Sequence, residues 1–180
     1  QVLTGTSPHG QGHETAWSQI TADELGYAVD EIEVLHGDTS VSPLGMDTYG
    51  SRSLTVGGIA LHNAAQKIVA KARTLAAHQL AVDESELGYE GGTFSAGDAA
   101  VTMKELAFAA WSAHDLPPGF EPGLEATAVY DPPNFSWPGG AHAGVVEIDT
   151  ETGDVQLLRY VAVDDVGKVV NPMIVDGQIH

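Results

Sequence analysis

The stretch from about Ser51 to Leu80 most constrains what this chain can fold into. Leu54, Gly58, Leu61, Ala65, Ile68, Ala72 and Leu75 recur at spacings of four and three, the period of one helix face, so a long amphipathic helix has to be accommodated. Gly57, Gly58, Ala60, Ala64 and Ala65 make part of that face small. A glycine inside a helix costs about 1 kcal/mol relative to alanine, so another backbone is expected to approach there, with burial on more than one side.

Shorter elements arrange themselves around this helix. The turn-rich opening Thr4 to Gly12 leads into an expected helix from about Glu14 to Leu25, with Ala16, Trp17, Ile20 and Leu25 as its apolar stripe. Ile32, Val34 and His36 alternate with Glu31, Glu33 and Leu35, which predicts a short strand ending at Gly37-Asp38. Leu87 to Ser95 reads as a hairpin turning at Gly91-Gly92. Thr102 and Glu105 have capping-box spacing ahead of a helix from about Met103 to Ala113. Pro117-Pro118-Gly119, Pro122-Gly123 and Pro132-Pro133 then interrupt regular structure. Beyond them, Leu124 to Tyr130 reads as a strand, and Ala141 to Asp149 pairs with Val155 to Val163 in a hairpin. Asn171-Pro172 starts a last helix. The fold class is α+β, with mixed or antiparallel sheets in two parts: a helix-rich 1–115 and an antiparallel-hairpin 116–180 leading into a truncated helix.

Charge and composition remove several functions. Against 25 Asp and Glu stand 7 Lys and Arg, a formal charge of −18, which repels phosphate backbones; no nucleic-acid partner is expected. With no cysteine, this chain can build neither a disulfide framework nor a thiolate metal site. No apolar run approaches the roughly 18 residues of a membrane span, so no transmembrane segment is expected. At 43% hydrophobic residues the chain is too apolar for an acidic disordered tail. The acid excess points either to salt adaptation or to a basic partner. A start at Gln1 and an end at His180 suggest a segment of a longer protein.

Two segments can carry chemistry. In His9-Gly10-Gln11-Gly12-His13-Glu14, glycines flank a glutamine just before a helix, whose first turn offers open N–H groups and a positive dipole end. This is either a ligand cradle or a tight helix start. His9 and His13 are four apart, but a helix through two glycines is unfavourable and no third ligand is evident, so no metal site is assigned. In Thr48-Tyr49-Gly50-Ser51-Arg52-Ser53, hydroxyls and a guanidinium at a helix start suit phosphate; the alternative is a serine cap with an arginine bridging to a carboxylate. Asp149 to Asp154 is a hairpin turn and not a calcium loop, since it lacks the terminal glutamate. Asp164-Asp165 either contributes to a site or ends a strand in water. His62 and His78 receive no role. No G-x-S-x-G or Walker A pattern occurs.

Taken together and in order, Thr4 to Thr15, Gly37-Asp38-Thr39, Asp47 to Ser53, Gly140-Ala141-His142, Val163 to Gly167, Asn171-Pro172 and Asp176 to His180 resemble the molybdenum-cofactor-binding large subunit of the xanthine dehydrogenase and aldehyde oxidase superfamily. The likeness is greatest to the aerobic carbon monoxide dehydrogenase large-subunit group and spans essentially the whole chain.

That resemblance implies a molybdenum–molybdopterin cofactor, in its cytosine dinucleotide form. Gly10, Gln11, Gly12 and His13 would touch the pterin, Ser51, Arg52 and Ser53 its phosphate or nucleotide side, and Asp165 and Gln178 would lie near the cofactor. The metal would be held by the pterin's dithiolene sulfurs, so no protein metal ligand is implied. The general-base glutamate and the substrate loop would lie outside this segment, leaving no catalytic residue within it and the segment alone inactive. The partners implied are the remainder of the large subunit together with iron–sulfur and flavin (FAD) subunits, in a cytoplasmic molybdenum-dependent oxidoreductase. Such an enzyme would oxidise carbon monoxide or a small aldehyde or heterocycle with oxygen derived from water. Two readings from other classes remain: a non-catalytic acidic interaction or structural domain, and a histidine-dependent metallohydrolase.

Overall fold

The computed structural model describes residues 1–42 and 44–180, and the chain divides into two compact units, Gln1–Pro133 and Asn134–His180. Its class is α+β, as expected. In the first unit, β1 (Val2–Leu3) pairs in parallel with β2 (Val34–Leu35). Helix α1 (His13–Leu25) runs between them in sequence and ends at Gly26, whose left-handed backbone closes the last turn. The long helix α2 (Ile59–Leu80) is preceded by a π-helical turn, Leu54–Gly58. A three-stranded antiparallel sheet follows, β3 (Gly88–Glu90), β4 (Thr93–Ala96) and β5 (Ala99–Thr102), and then α3 (Met103–Ser112).

The core lies where the C-terminal half of α2 meets this sheet and α3. Val69, Ala72, Leu75 and Ala76 of α2 pack with Phe94 of β4, Val101 of β5 and Met103, Leu106 and Ala110 of α3. The periodic face expected from the sequence is thus the buried one at Ala65, Ala72 and Leu75, while Leu54 at its start is 42% exposed. The expected close approach occurs too, but from side chains: a Cβ on Gly57 would lie 2.7 Å from Thr6 Cγ2, and one on Gly58 3.2 Å from Trp17 Cζ3. Residues 54–58 wind wider than an α-helix beside these two intruding groups.

Residues 116–133 remain with the first unit. Leu116, Phe120 and Leu124 pack on its core, Lys67 Nζ donates to the Thr127 carbonyl at 2.8 Å, and Lys71 lies over the Phe120 ring. The strand expected at Leu124–Tyr130 is irregular instead, because this stretch is anchored by a lysine and by apolar side chains without a neighbouring strand to ladder with. The strand expected over 32–36 is confined to the two residues of β2.

The second unit is the hairpin of β6 (Gly139–Ile148) and β7 (Val155–Asp165), followed by α4 (Pro172–Ile179). The hairpin turn spans Asp149 to Asp154: the Asp149 carboxylate accepts from Glu151 N–H at 2.8 Å, and Gly153 supplies a left-handed residue. Asn171 caps α4, its Oδ1 accepting from Ile174 N–H at 3.2 Å, with Pro172 in the first turn. No helix among the described residues is long and apolar enough to cross a membrane.

Candidate functional site

Helices α1 and α2 lie side by side and run the same way. Trp17, one turn into α1, meets Gly58, while Glu24, two turns further, accepts hydrogen bonds from His62 and Gln66 of α2. Both positive dipole ends therefore face the same side of the unit. Between them runs the Thr4–Thr6 segment leaving β1: the Thr6 side chain packs on Gly57, and the Thr6 carbonyl is 3.3 Å from His13 Nδ1. Since a carbonyl only accepts, that imidazole nitrogen carries the proton.

The loop before the π-helical turn is held against this segment. Gly5 and Gly45 approach so closely that a Cβ on either would collide with the other's backbone, and Asp47 N–H donates to the Gly5 carbonyl at 3.1 Å. Asp47 then reaches His9, its Oδ2 3.5 Å from Nε2. The two candidate segments, distant in sequence, are thereby brought to one place.

At the α1 start, Gly10 and Gly12 have φ of 98° and 74°, values a side chain resists, and a Cβ on Gly10 would point into open space. The Gln11 carbonyl oxygen closes this turn by accepting from His9 N–H, which turns its amide NH₂ to other partners. Gly12 is the residue before α1 and has no side chain to cap it. Gly12 therefore supplies no side-chain acceptor to the first turn, where the Glu14 N–H is served instead by the carboxylate of Glu14 itself. Glu14 Oε1 also lies 2.9 Å from His36 Nε2; the hydrogen bond from its own backbone N–H, then that from His36, holds its carboxyl below the usual glutamate range.

At the second start, Ser51 is a non-glycine residue at φ 53°, which costs about 1–3 kcal/mol and persists only where the surroundings enforce it. Ser53 is buried, its hydroxyl 3.0 Å from that of Thr48, and it makes no cap to the turn it precedes. Arg52 is half-buried. Its guanidinium donates to the Tyr49 hydroxyl at 2.7 Å and lies over that ring, 5.1 Å from the centroid. Tyrosine thus holds Arg52 in place of the carboxylate that the structural alternative required, and among the described residues the cation has no ion-pair partner.

His9 and His13 do not form a metal pair: His9 is exposed and faces Asp47, whereas His13 is buried against the Trp17 ring. Asp165 and Gln178 belong to the second unit. Asp165 ends β7 and accepts from Gly167 N–H at 2.9 Å, and Gln178 lies exposed on α4. Sequence reasoning gave no role to Thr6, Gly45 or Tyr49 individually, although Tyr49 lies within the second candidate segment and Thr6 within the turn-rich opening; Gly45 drew no reading, since nothing local points to its partner at 5. Trp17 adds one unresolved polar group beneath it, an indole N–H buried without a hydrogen-bond partner among the described residues.

The family described as "Molybdopterin cofactor-binding domain" matches residues 1–180. The carbon monoxide dehydrogenase large chain of Hydrogenophaga pseudoflava is 50% identical over 177 residues, covering 98% of this chain and 22% of that protein. The nicotine 6-hydroxylase large subunit of Paenarthrobacter nicotinovorans is 36% identical over 183 residues, 99% of this chain and 22% of its own length. Among solved structures, a Cu,Mo-CO dehydrogenase in its carbon monoxide reduced state superimposes with a TM-score of 0.92 at 45% identity, over 98% of this chain and 22% of that one. The chain therefore spans about a fifth of the length of the curated relatives it matches.

Proposed function

The chain belongs to the molybdopterin cofactor-binding domain family, and from that premise we propose that the α1 and α2 starts cradle the pterin and phosphates of a molybdopterin cytosine dinucleotide. The observation that carries this is the pair of helix starts whose preceding residues, Gly12 and Ser53, make no side-chain cap, brought to one end with Arg52 between Tyr49 and the π-helical turn. The donor set fits such a group. Gln11 offers amide hydrogens to a pterin edge, Gly10 leaves room beside the backbone, and Gly12 leads into the first turn at His13 with no side chain of its own to cap it. Ser51, Arg52 and Ser53 supply hydroxyls and a planar fork suited to phosphate oxygens. Of the acidic side chains on these segments, Asp47 faces His9, and Glu14 is engaged by its own N–H and by His36. Asp165 and Gln178 are assigned to the same cofactor on the family resemblance alone.

When bound, the cofactor would supply a two-electron redox centre. Within the whole large subunit, with iron–sulfur and flavin (FAD) subunits as electron acceptors, the activity proposed is oxidation of carbon monoxide or of a small aldehyde or heterocycle with water-derived oxygen. Relatives named for carbon monoxide and for nicotine both support a substrate of that size range. The test is chemical: purify the full-length protein, measure molybdenum, and identify the nucleotide released by acid hydrolysis. Cytidine monophosphate equimolar with molybdenum is expected. Guanosine monophosphate, or no nucleotide, would overturn the dinucleotide assignment, and a protein without molybdenum the whole reading.

A further inference from the structure

The Gly140-Ala141-His142 segment of β6 takes no part in the cofactor reading, yet it organises one face of the hairpin. In the β6–β7 register Gly140 stands opposite Asp164, His142 opposite Ala162, and Gly144 opposite Tyr160. Directly opposed residues share a face, so each large side chain here confronts a small one. The cleared space lets His142 lie flat enough to reach both diagonal neighbours at once. Its Nδ1 is 2.7 Å from the Tyr160 hydroxyl and its Nε2 is 3.1 Å from Asp164 Oδ1. A Cβ on Gly140 would collide with that same carboxylate oxygen, and one on Gly144 would touch the Tyr160 ring at 3.6 Å.

The hydrogen bonds fix the direction of every proton. An ionised carboxylate can only accept, so Nε2 carries the imidazole hydrogen and donates to Asp164. Nδ1 then accepts from the Tyr160 hydroxyl. A hydroxyl, an imidazole and an orienting carboxylate in line are the arrangement by which proteins move protons to and from oxygen. Exposure grows along it, from 25% for the Asp164 side chain to 45% for His142, and Tyr160 is exposed. The neighbouring charged residues of β7, Arg159 and Asp165, alternate onto the opposite face, so within the hairpin only Tyr160 and Asp164 face His142.

We infer that Tyr160, His142 and Asp164 form a proton relay whose open end is the Tyr160 hydroxyl and whose ligand is an acidic O–H group. In one passage, the donor's O–H bond breaks as a new one forms at Tyr160, while the original Tyr160 proton moves to His142 Nδ1. His142 becomes an imidazolium held by Asp164, then releases one proton to solvent or buffer, and the chain is restored. No electron is transferred. The purpose of the relay rests on the proposed function, because inserting water-derived oxygen into a substrate releases two protons with every two electrons (RH + H₂O → ROH + 2 H⁺ + 2 e⁻).

The test uses the full-length protein containing this chain and has two arms. The first measures carbethoxylation of His142 by diethyl pyrocarbonate with mass spectrometry at one fixed pH, and needs no activity. Tyr160→Phe frees Nδ1 and Asp164→Ala frees Nε2, so both variants should react at least about threefold faster, the equivalent of one weak hydrogen bond. Unchanged rates in both would overturn the hydrogen-bond chain. The second arm measures turnover and molybdenum content of His142→Ala and Tyr160→Phe. Turnover should fall about tenfold or more at unchanged molybdenum content, and added imidazole should restore it in His142→Ala. Turnover at the parent level, or a loss that imidazole does not relieve while Tyr160→Phe stays active, would overturn the relay. Parent protein without molybdenum would instead refute the cofactor reading, and the carbethoxylation rates would still decide whether the chain exists.

Discussion

Helix α3 and helix α1 begin in opposite ways. At the start of α3 the Thr102 hydroxyl accepts from Glu105 N–H, and the Glu105 carboxylate accepts from Thr102 N–H at 2.8 Å and from its hydroxyl at 2.7 Å. That end is closed by its own side chains. At the start of α1 stands Gly12, with no side chain to offer, and the π-helical turn before α2 begins at Ser53 without a cap as well. Open amides next to solvent are a modest cost when water serves them, and an asset when an anion does. On the proposed reading, the closed helix start serves stability, whereas the two starts without a cap from the preceding residue, joined through the contact of Gly5 with Gly45, are where the ligand would bind.

The sharpest way to break that comparison is Gly45→Ala. Its Cβ would overlap the Gly5 backbone, where no flexible side chain can yield. The loop carrying Asp47 to Ser53 must then move, and most of the cofactor should be absent from the purified full-length protein by metal analysis. Normal content would show that the contact does not set the site.

Arg52→Ala comes next, removing a cation and its charge-assisted bonds. Cofactor should dissociate about tenfold faster or more, as loss of a charged hydrogen bond of about 1.5–3 kcal/mol requires. Arg52→Lys should lie between, since lysine keeps the charge but loses the fork and its seat over Tyr49. Equal retention in lysine variant and parent would mean that charge alone matters. Gln11→Ala should have a smaller effect, about fivefold faster dissociation for one neutral hydrogen bond, with the fold kept because Gly10 and Gly12 remain.

Much of this frame was legible in the sequence. The α2 period, the Thr102 capping box, both hairpin turns and the two candidate segments are local patterns, and local patterns survive folding. What could not be read is non-local. β1, two residues long, has no periodicity to detect, its parallel pairing with the strand expected at 32–36 is non-local, and β5 follows a turn at Gly97-Asp98 too closely to stand out. The run at Leu124–Tyr130 alternates like a strand, but Lys67 takes the Thr127 carbonyl and Leu124 packs on the core of the first unit. The π-helical turn packs beside Thr6 and Trp17, residues about forty to fifty positions away. Likewise Gly140 and Gly144 read only as weak strand residues until the register sets them opposite Asp164 and Tyr160.

The smallest effect tests the closed end. Thr102→Ala removes the hydroxyl that accepts from Glu105 N–H and donates to its carboxylate, at a cost of about 1 kcal/mol. Amide exchange in the first turn of α3, read by mass spectrometry on the full-length protein, should quicken about fivefold, the rate equivalent of that energy, and molybdenum content should not change. The Glu105 carboxyl is held below its ordinary range first by the Thr102 side chain and then by the Thr102 backbone N–H. A depressed folded value means that this stabilisation is fully present above the unfolded pKa of about 4.3 and is lost as pH falls through the lower, folded one. The exchange difference between parent and variant should therefore hold from neutral pH down to the ordinary carboxylate range and shrink below it. The π-helical turn has no such carboxylate cap, so its exchange should show no matching acid step in the absence of ligand. If Thr102→Ala lowered cofactor content as much as Gln11→Ala, the division between closed and open helix starts would be wrong, because a cap far from the cradle would then be governing it.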